Sequence, residues 1–385
     1  MYIYLFIIFL LSALIYKYDI KDTKRYRQFW ERLTLIILIA VVGLRYHIGS
    51  DTVVYEWNFN TSATPLLNEF FINDGITTQP LWLFIMSFCK TVFGSFVAVQ
   101  FIQAIIYHTL SFRFIKKMTT YSFTALLFLF VLLWFSNSFE VLRESISSVI
   151  FLNSLFYLKE KRYTRYFLCA VIATGFHVFA FAIFLLVFFV NLLDKSALVV
   201  GCIVLFLVAQ VIDFFIVNEL IMNMVAFSDV LVDKALLYIG EKDATVVSFL
   251  GIIRWLLLAL FLPIIVILNT ETKNDYWVKF VVFWLFLSQL TSKLPILYRM
   301  DNYFQLIYIV LLVNVLYDKN SKRVRTLRPV LVMLSMLVLF MGYRDVYRPD
   351  MAFQIAKVPY DIRYFPYKTI FEEPDPLREA QSYYH

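Results

Sequence analysis

Long apolar runs, separated by short charged segments, recur along the whole chain. Apolar residues make up 61% of the sequence and charged residues only 16%, so a soluble domain could not bury all of this apolar surface. The pattern predicts an all-α polytopic integral membrane protein that is surrounded by the lipid bilayer. We predict about twelve transmembrane helices, several of them short. They lie at 2–16, 33–46, 96–114, 121–137, 144–158, 165–176, 178–193, 197–217, 248–268, 277–293, 303–317 and 328–343.

The basic residues between these runs predict the orientation of the chain, because short cytoplasmic loops are enriched in Lys and Arg. Segment 17–32 carries six Lys and Arg residues, and smaller basic clusters lie at 113–117, 159–165 and 319–328. Segment 46–89 contains neither Lys nor Arg. The basic clusters are therefore predicted to be cytoplasmic and segment 46–89 to be outside.

This orientation predicts two domains. Residues 1–343 form a transmembrane domain with an outward-facing cavity and with outer loops at 47–95 and 218–247. Residues 344–385 form a periplasmic tail that packs over the outer face. No basic residue precedes the first apolar run, so the first helix is predicted to be uncleaved.

The number of crossings constrains two further regions. Only an odd number of spans can connect the outer loop with the basic cluster at 113–117, so 80–94 is predicted to be a re-entrant or interfacial helix. By the same count, 165–193 forms two short helices that meet near His177.

Four arginines lie inside or at the edge of the apolar runs. They are Arg45, Arg143, Arg254 and Arg299. A central arginine on a spanning helix costs about 2.5–3.5 kcal/mol on insertion scales, so such residues are usually functional. The predicted topology places all four at or near the outer face, and we expect no comparable set of buried charges at the cytoplasmic face. Guanidinium groups match phosphate oxygens, so these arginines predict a site for a large anion such as a lipid-linked diphosphate.

Other ionisable residues are predicted at the same face: Asp51, Glu144, His177 and Asp301. A histidine or a carboxylate in such a place can accept a proton. Structural alternatives stay open, because arginines at helix ends reach the headgroups, charged neighbours pair, and a histidine in an apolar segment is often a core residue. The sequence has no metal-binding spacing and no nucleic-acid motif, and its three cysteines fall in apolar runs.

Four short motifs follow one another along the chain. They are Gly43-Leu44-Arg45-Tyr46 with Gly49-Ser50-Asp51 and Tyr55; Arg143-Glu144-x-x-Ser147; Phe176-His177-x-x-Ala180; and Tyr298-Arg299-x-x-x-Tyr303-Phe304. In this order they resemble the EpsG family of Wzy-type polysaccharide polymerases, over residues 40–320. The chain departs from the family pattern at Glu144 and Ser147, where Gln and Ala are more common, and the departure leaves a role for Glu144 open.

The resemblance implies an activity. Such polymerases transfer a growing glycan from undecaprenyl diphosphate onto the non-reducing end of a new lipid-linked repeat unit, at the periplasmic face of the bacterial inner membrane. It also implies a GT-C-like helical fold, no metal or other cofactor, and a chain-length regulator as a partner. The predicted roles are diphosphate binding for Arg45, Arg143, Arg254 and Arg299, catalysis for His177, Asp51 and Glu144, and glycan binding for Tyr46, Tyr55, Tyr298, Asp301 and Tyr303.

Three other classes of function compete with this interpretation. A flippase for lipid-linked oligosaccharides also binds a diphosphate, but it needs charges along a path through both leaflets, and the sequence has no transporter-like internal repeat. An O-antigen ligase, or another GT-C glycosyltransferase, differs in its acceptor and is poorly separated by sequence. A purely structural membrane subunit is disfavoured by the clustered outer arginines.

Overall fold

The structure, a computed structural model, describes residues 2–61, 79–211, 256–271, 274–291, 298–346 and 364–373. Within these ranges the chain is helical and contains no β-strand. The only β-type pairing there is an isolated bridge between Arg45 and Thr369. The predicted all-α class is confirmed. The helices of the first part are α1 (Tyr2–Leu14), α2 (Arg27–Gly43), α3 (Ser50–Thr61), α4 (Pro80–Val92), α5 (Phe96–Met118), α6 (Ser122–Leu129), α7 (Leu142–Lys159), α8 (Tyr163–Phe176), α9 (Phe179–Leu192) and α10 (Lys195–Val211).

The described residues contain five further helices, and four of their segments have the wider winding of a π-helix. The later helices are Leu262–Asn269, Asp275–Thr291, Tyr298–Asp301, Gln305–Tyr317 and Lys322–Val346. The π-helical segments are Ile15–Ile20, Phe130–Trp134, Ser136–Glu140 and Leu256–Phe261.

Most predicted helices have counterparts in the structure, with ends shifted by a few residues. The helix predicted at 33–46 ends at Gly43, so Arg45 follows the helix and is not part of it. The loop predicted at 47–95 contains α3 as well as the expected helix near 80–94, which is α4. The sequence of α3 mixes polar and apolar residues without a continuous apolar stripe, so a search for apolar runs does not detect it.

Two short helices meet at His177, as predicted. The backbone of His177 is extended, with φ −150° and ψ 116°, and this conformation ends α8. The loop predicted at 218–247, most of the tail predicted at 344–385 and parts of the helices predicted at 197–217 and 248–268 lie outside the described residues.

Local sequence signals explain the tight connection between α4 and α5. Pro80 occupies the start of α4, where its missing N–H is not needed. Gly94 has a φ of +62°, which glycine adopts without steric cost, and the Ser95 side chain accepts a hydrogen bond from the Val97 N–H at 3.2 Å to cap α5. The two helices therefore form a hairpin.

Apolar surface identifies the environment of the chain. The stretches Tyr2–Ile20 and Lys322–Arg344 are long and apolar enough to cross a bilayer by length and composition. Large apolar side chains such as Phe9 and Val171, 74% and 70% exposed, face outward from the helices. This is the surface of a membrane protein. The number of spans, their orientation and the GT-C-like architecture stay predictions.

The chain divides into two compact units. The first comprises Met1–Phe181 with Ser335–His385, and the second comprises Ala182–Leu334. In the first unit α5 packs against α2 and α7, and α7 packs against α8. In the second unit α10 packs against the helix Asp275–Thr291.

The first unit has two distant ends. Helix α2 is 17 residues long, and at 1.5 Å per residue it extends about 25 Å. We call the part around the start of α2 the Arg27 end and the part beyond its last residue the Arg45 end.

Four charged side chains form a cluster at the Arg27 end, and we call Asp19, Arg27, Glu31 and Lys116 the charge cluster. Arg27 Nη2 lies 2.8 Å from Asp19 Oδ1, and Arg27 Nε lies 3.4 Å from Glu31 Oε1. Lys116 Nζ lies 2.7 Å from Glu31 Oε2. Both acids are buried. The expectation of no buried charges at this end is wrong, because a count of Lys and Arg ignores their acidic partners.

Candidate active site

The turn between α2 and α3 carries Arg45, the first of the predicted diphosphate ligands. Its guanidinium is fully buried. Nη1 donates to the carbonyl of Val42 at 2.6 Å, and Nη2 donates to the hydroxyl of Thr52 at 3.4 Å. The guanidinium carbon also lies 5.3 Å from the centre of the Phe139 ring, a cation–π distance. In this structure Arg45 holds the turn from inside and does not reach the surface.

Gly49 lets this turn approach its neighbour closely. Its φ is +89°, and a Cβ at this position would lie 2.5 Å from the carbonyl oxygen of Phe139. The hydroxyl of Thr52 donates to the same oxygen at 2.9 Å. Glycine is therefore required here both for the left-handed backbone and for the contact, and the contact fixes the start of α3.

The π-helical segment Ser136–Glu140 provides the other side of that contact. Such segments depart from the regular α-helical hydrogen bonds and occur often at functional sites. Gln103 donates to the carbonyl of Asn137 at 3.1 Å. The buried carboxylate of Glu140 accepts from the backbone N–H of Asp51 at 3.1 Å. Asp51, a predicted catalytic residue, is thereby held in the first turn of α3.

A carboxy-terminal segment, 364–373, also packs at the Arg45 end. The N–H of Tyr46 donates to the carbonyl of Lys368, and the N–H of Ile370 donates to that of Leu44, each at 3.0 Å. The hydroxyl of Tyr367 donates to the carbonyl of Val41 at 2.8 Å. Burial raises the pKa of Tyr367 to about 12, so this donor stays protonated.

Arg143 and Tyr55, which belong to different motifs, are in contact. Arg143 Nε donates to the Tyr55 hydroxyl at 3.3 Å, and its guanidinium carbon lies 5.2 Å from the centre of the Tyr55 ring. Tyr55 is fixed in turn by an apolar cluster that includes Trp82 and Phe176. The two terminal nitrogens of Arg143 have no hydrogen-bond partner among the described residues. Arg143 is thus the predicted arginine of this unit that can offer a fork of donors to a ligand.

Glu144 and His177, from the second and third motifs, also lie together. His177 Nε2 is 4.0 Å from Glu144 Oε2, and both side chains are buried. The Ser147 hydroxyl donates to the carbonyl of Ala173 at 2.6 Å, which ties α7 to the end of α8. The structure therefore brings together residues of three motifs, and it places the predicted base His177 beneath the surface.

A second histidine–glutamate pair, not predicted from the sequence, joins the turn between α2 and α3 to helix α3. His47 Nε2 is 2.6 Å from Glu56 Oε2, and the two side chains are 17% and 33% exposed. The ring of His47 stacks on Tyr46 with centroids 4.2 Å apart. His47 has a φ of +45°, which is uncommon for a residue with a side chain. The sequence signal was weak, because the pairing depends on α3, which was not predicted.

The fourth motif lies in the second unit. Arg299 belongs to the short helix Tyr298–Asp301, and Tyr303 is fully buried just after it. Burial raises the pKa of Asp301 to about 7, so its carboxyl group exchanges protons near neutrality. The approach of Arg299 to Arg143 stays a prediction, and Arg254 lies outside the described residues.

The comparison with known families agrees with this arrangement. The family model of the EpsG family matches residues 28–369, a range that includes all four motifs. The chain belongs to the EpsG family. The predicted resemblance is confirmed, and EpsG proteins are Wzy-type polysaccharide polymerase-like proteins. No curated protein and no solved structure gives a significant match to the chain.

Proposed function

We propose that the protein is a membrane glycosyltransferase that elongates a polysaccharide. It transfers a glycan from undecaprenyl diphosphate to a new lipid-linked repeat unit at the periplasmic face of the inner membrane. The observation that carries this proposal is the meeting of Tyr55, Arg143, Glu144 and His177 at the Arg45 end. Membership of the EpsG family supports the same class of reaction.

Arg143 has the role of stabilising the leaving diphosphate. Breaking the bond between the sugar and the diphosphate places negative charge on the leaving oxygen. A half-buried guanidinium with two open nitrogens stabilises that charge, and it is oriented in advance by Tyr55. The positive charge of the guanidinium then stabilises the leaving diphosphate, as a metal ion does in other transferases. Arg45 supports this from below by fixing the turn that carries α3.

The acceptor hydroxyl must lose a proton as the new bond forms, so a base is needed. His177, Asp51 and Glu144 are the bases predicted from the sequence. Glu144 lies beside His177 and would stabilise the imidazolium that forms when His177 accepts a proton. For His177 to act, the buried pair must become open to the acceptor during the reaction.

Deletion of the gene in its host tests the polymerase proposal. Surface polysaccharide is separated on a gel, and a polymerase deletion removes the polymer ladder while a single repeat unit is still exported. Loss of even the single unit, with lipid-linked repeats retained inside, would identify a flippase. A persistent ladder of lipid-linked polymer that is no longer attached to its final acceptor would identify a ligase.

Complementation tests the residues. Arg143→Ala and His177→Ala are expected to leave the ladder absent at normal protein levels. Arg162→Ala is the matched control, because Arg162 lies one residue before α8 and makes only an exposed pair with Glu160. A full ladder from Arg143→Ala would contradict the assigned role of that arginine.

A further inference from the structure

We propose that Glu56 is the catalytic base that takes the proton from the acceptor hydroxyl, and that His47 is its positioning residue. This inference rests on the proposed function and assigns to that reaction a pair of residues that the sequence motifs do not include. In this inference the exposed Glu56 accepts the proton, and the buried His177 and Glu144 support the site from within.

The carboxylates of the Arg45 end differ in how accessible they are to a substrate. Glu140 and Glu144 are 5% and 2% exposed, whereas the side chain of Glu56 is 33% exposed. A general base must come within hydrogen-bond distance of the proton that it removes. Glu56 meets this condition without a rearrangement. Asp51 is partly exposed as well, and it is therefore the alternative that the experiment must separate.

The contacts of Glu56 leave one oxygen available. Its Oε2 lies 2.6 Å from His47 Nε2, and Glu56 has no other side-chain hydrogen bond or ion pair with the described residues. With the Nε2–H of His47 donating to Oε2, the second oxygen, Oε1, is open to a sugar hydroxyl. The carboxylate is thus held in one orientation by His47, as a base requires.

The backbone of His47 has an uncommon conformation that orients its ring toward Glu56. Its φ of +45° lies in the left-handed region, where Gly or Asn is favoured over a residue with a bulky side chain. Residues held in such conformations cluster at functional sites, where the surroundings maintain them. Keeping a histidine at this position keeps the hydrogen bond to Glu56.

Helix α3 carries both this base and Tyr55, which orients the arginine assigned to the leaving group. Tyr55, which precedes Glu56, accepts the hydrogen bond from Arg143. Glu56 thus follows directly on the residue that orients Arg143, and the inference assigns the donor diphosphate to Arg143 and the acceptor hydroxyl to Glu56 within one site.

The step balances without a further reactant. The proton of the acceptor hydroxyl moves to Glu56 Oε1, and the acceptor oxygen forms a bond to the anomeric carbon of the donor glycan. The bond between that carbon and the diphosphate oxygen breaks, and the lipid diphosphate leaves with the electron pair. The proton on Glu56 then passes to the released diphosphate or to water.

The experiment uses the full chain in lipid vesicles. Lipid-linked repeat units extracted from the deletion strain serve as both donor and acceptor, and the initial rate of elongation is measured. We expect Glu56→Gln to lower kcat by about 10²–10⁴-fold, the usual contribution of general base catalysis, with KM nearly unchanged. Added formate should restore part of the rate to Glu56→Ala, which a merely structural role of Glu56 would not allow. Glu160→Gln, which alters an exposed carboxylate in the loop between α7 and α8, is the matched control and should keep the wild-type rate.

A second pair of variants tests His47. Asn tolerates left-handed backbone, so His47→Asn should keep the thermal unfolding temperature while lowering kcat by about tenfold or more. Lys161 also has a positive φ, +57°, and lies in the loop that also carries Glu160. Lys161→Asn is therefore the control and should change neither quantity.

Three results would overturn the inference. One is a Glu56→Gln rate near that of the wild type. Another is loss of activity in Asp51→Asn or His177→Ala while Glu56→Gln stays active, which assigns the base elsewhere and leaves the polymerase proposal intact. The third is a wild-type protein that does not elongate the extracted repeats, which overturns both proposals. If Glu56→Gln does not fold, Glu56→Asp decides: a reduced rate supports the base, and an unchanged rate contradicts it.

Discussion

The charge cluster at the Arg27 end and the candidate site at the Arg45 end contain the same kinds of side chain but pair them differently. At the Arg27 end each acid has basic partners: Asp19 contacts Arg27, and Glu31 contacts both Arg27 and Lys116. At the Arg45 end neither Arg45 nor Arg143 forms an ion pair with a described residue. The carboxylates there are held by histidines or by a backbone N–H instead.

Hydroxyl groups also satisfy the buried acids at the Arg27 end. Thr124 donates to Asp19 Oδ2 from its side chain at 2.8 Å and from its backbone N–H at 2.7 Å, and Ser122 donates to Glu31 at 2.9 Å. A buried charge that is neutralised and hydrogen-bonded in this way stabilises one arrangement of helices. Charges that are oriented but not neutralised keep their field for a ligand. A buried charge alone therefore does not indicate a ligand site. A buried charge that lacks an ion-pair partner does.

Removing the central cation of the charge cluster should have the largest effect. Arg27→Ala leaves Asp19 and Glu31 buried without it, and breaking a buried pair costs about 3–5 kcal/mol. The free energy of unfolding in detergent should fall by that amount, as measured by denaturant titration. Arg25→Ala is the control, because Arg25 makes only an exposed contact with Tyr26. Equal unfolding curves for the two variants would mean that the cluster does not stabilise the Arg27 end.

The opposite result is expected at the other end. Arg143→Ala should lower the rate of elongation by about 10²–10³-fold, the effect of removing one stabilising donor, while the free energy of unfolding changes little. The elongation rate of Arg143→Lys should lie between those of the wild type and Arg143→Ala, because a lysine keeps the charge but not the planar fork. Kinetics with extracted lipid-linked repeats and an unfolding curve on the same sample decide this. A large loss of stability with a normal rate would place Arg143 with the structural charges.

Gly49→Ala sharpens the comparison through the backbone. The added Cβ would meet the carbonyl oxygen of Phe139 in a left-handed turn, and we expect a loss of stability of about 1–3 kcal/mol with reduced activity. Gly94→Ala shares the positive φ but has open space around its Cβ, so it should cost only about 1 kcal/mol. Similar thermal shifts for both variants would show that the contact with Phe139 is unimportant.

The smallest effect is expected from single hydroxyl groups. Tyr55→Phe keeps the ring beneath Arg143 but removes the hydrogen-bond acceptor, so the rate should fall by roughly three- to tenfold, the worth of about 1 kcal/mol. Tyr18→Phe is the control at the Arg27 end, because the buried Tyr18 hydroxyl has no hydrogen-bond partner in the described part of the chain and its loss should be neutral. An unchanged rate in Tyr55→Phe would mean that the ring alone orients Arg143.

The sequence predicted what depends on local pattern. Apolar runs revealed the helical class, the break at His177 and the helix near 80–94, because each involves neighbouring residues. The order of the motifs predicted the family. These signals do not require knowledge of which helices meet.

What could not be predicted depends on contacts between distant segments. Glu140 accepts the hydrogen bond from Asp51 from within the π-helical segment Ser136–Glu140. No residue pattern predicts that winding. The burial of Arg45 follows from the end of α2 three residues before the predicted boundary. The pair of His47 and Glu56 needs both that turn and a helix without an apolar stripe. The charge cluster joins α2 to the end of α5, and loop charge alone does not reveal such pairs.

The pairing of the turn after α2 with the carboxy-terminal segment has a consequence for biosynthesis. Tyr367 and Val41, which are joined by a hydrogen bond in this region, lie 326 residues apart along the chain. At a synthesis rate of about 5–20 residues per second, the first motif waits roughly 15–65 s for its partner to emerge from the ribosome. The first motif is thus completed only after segment 364–373 has been made, and a chain terminated before that segment would enter the membrane without the contacts that hold this turn.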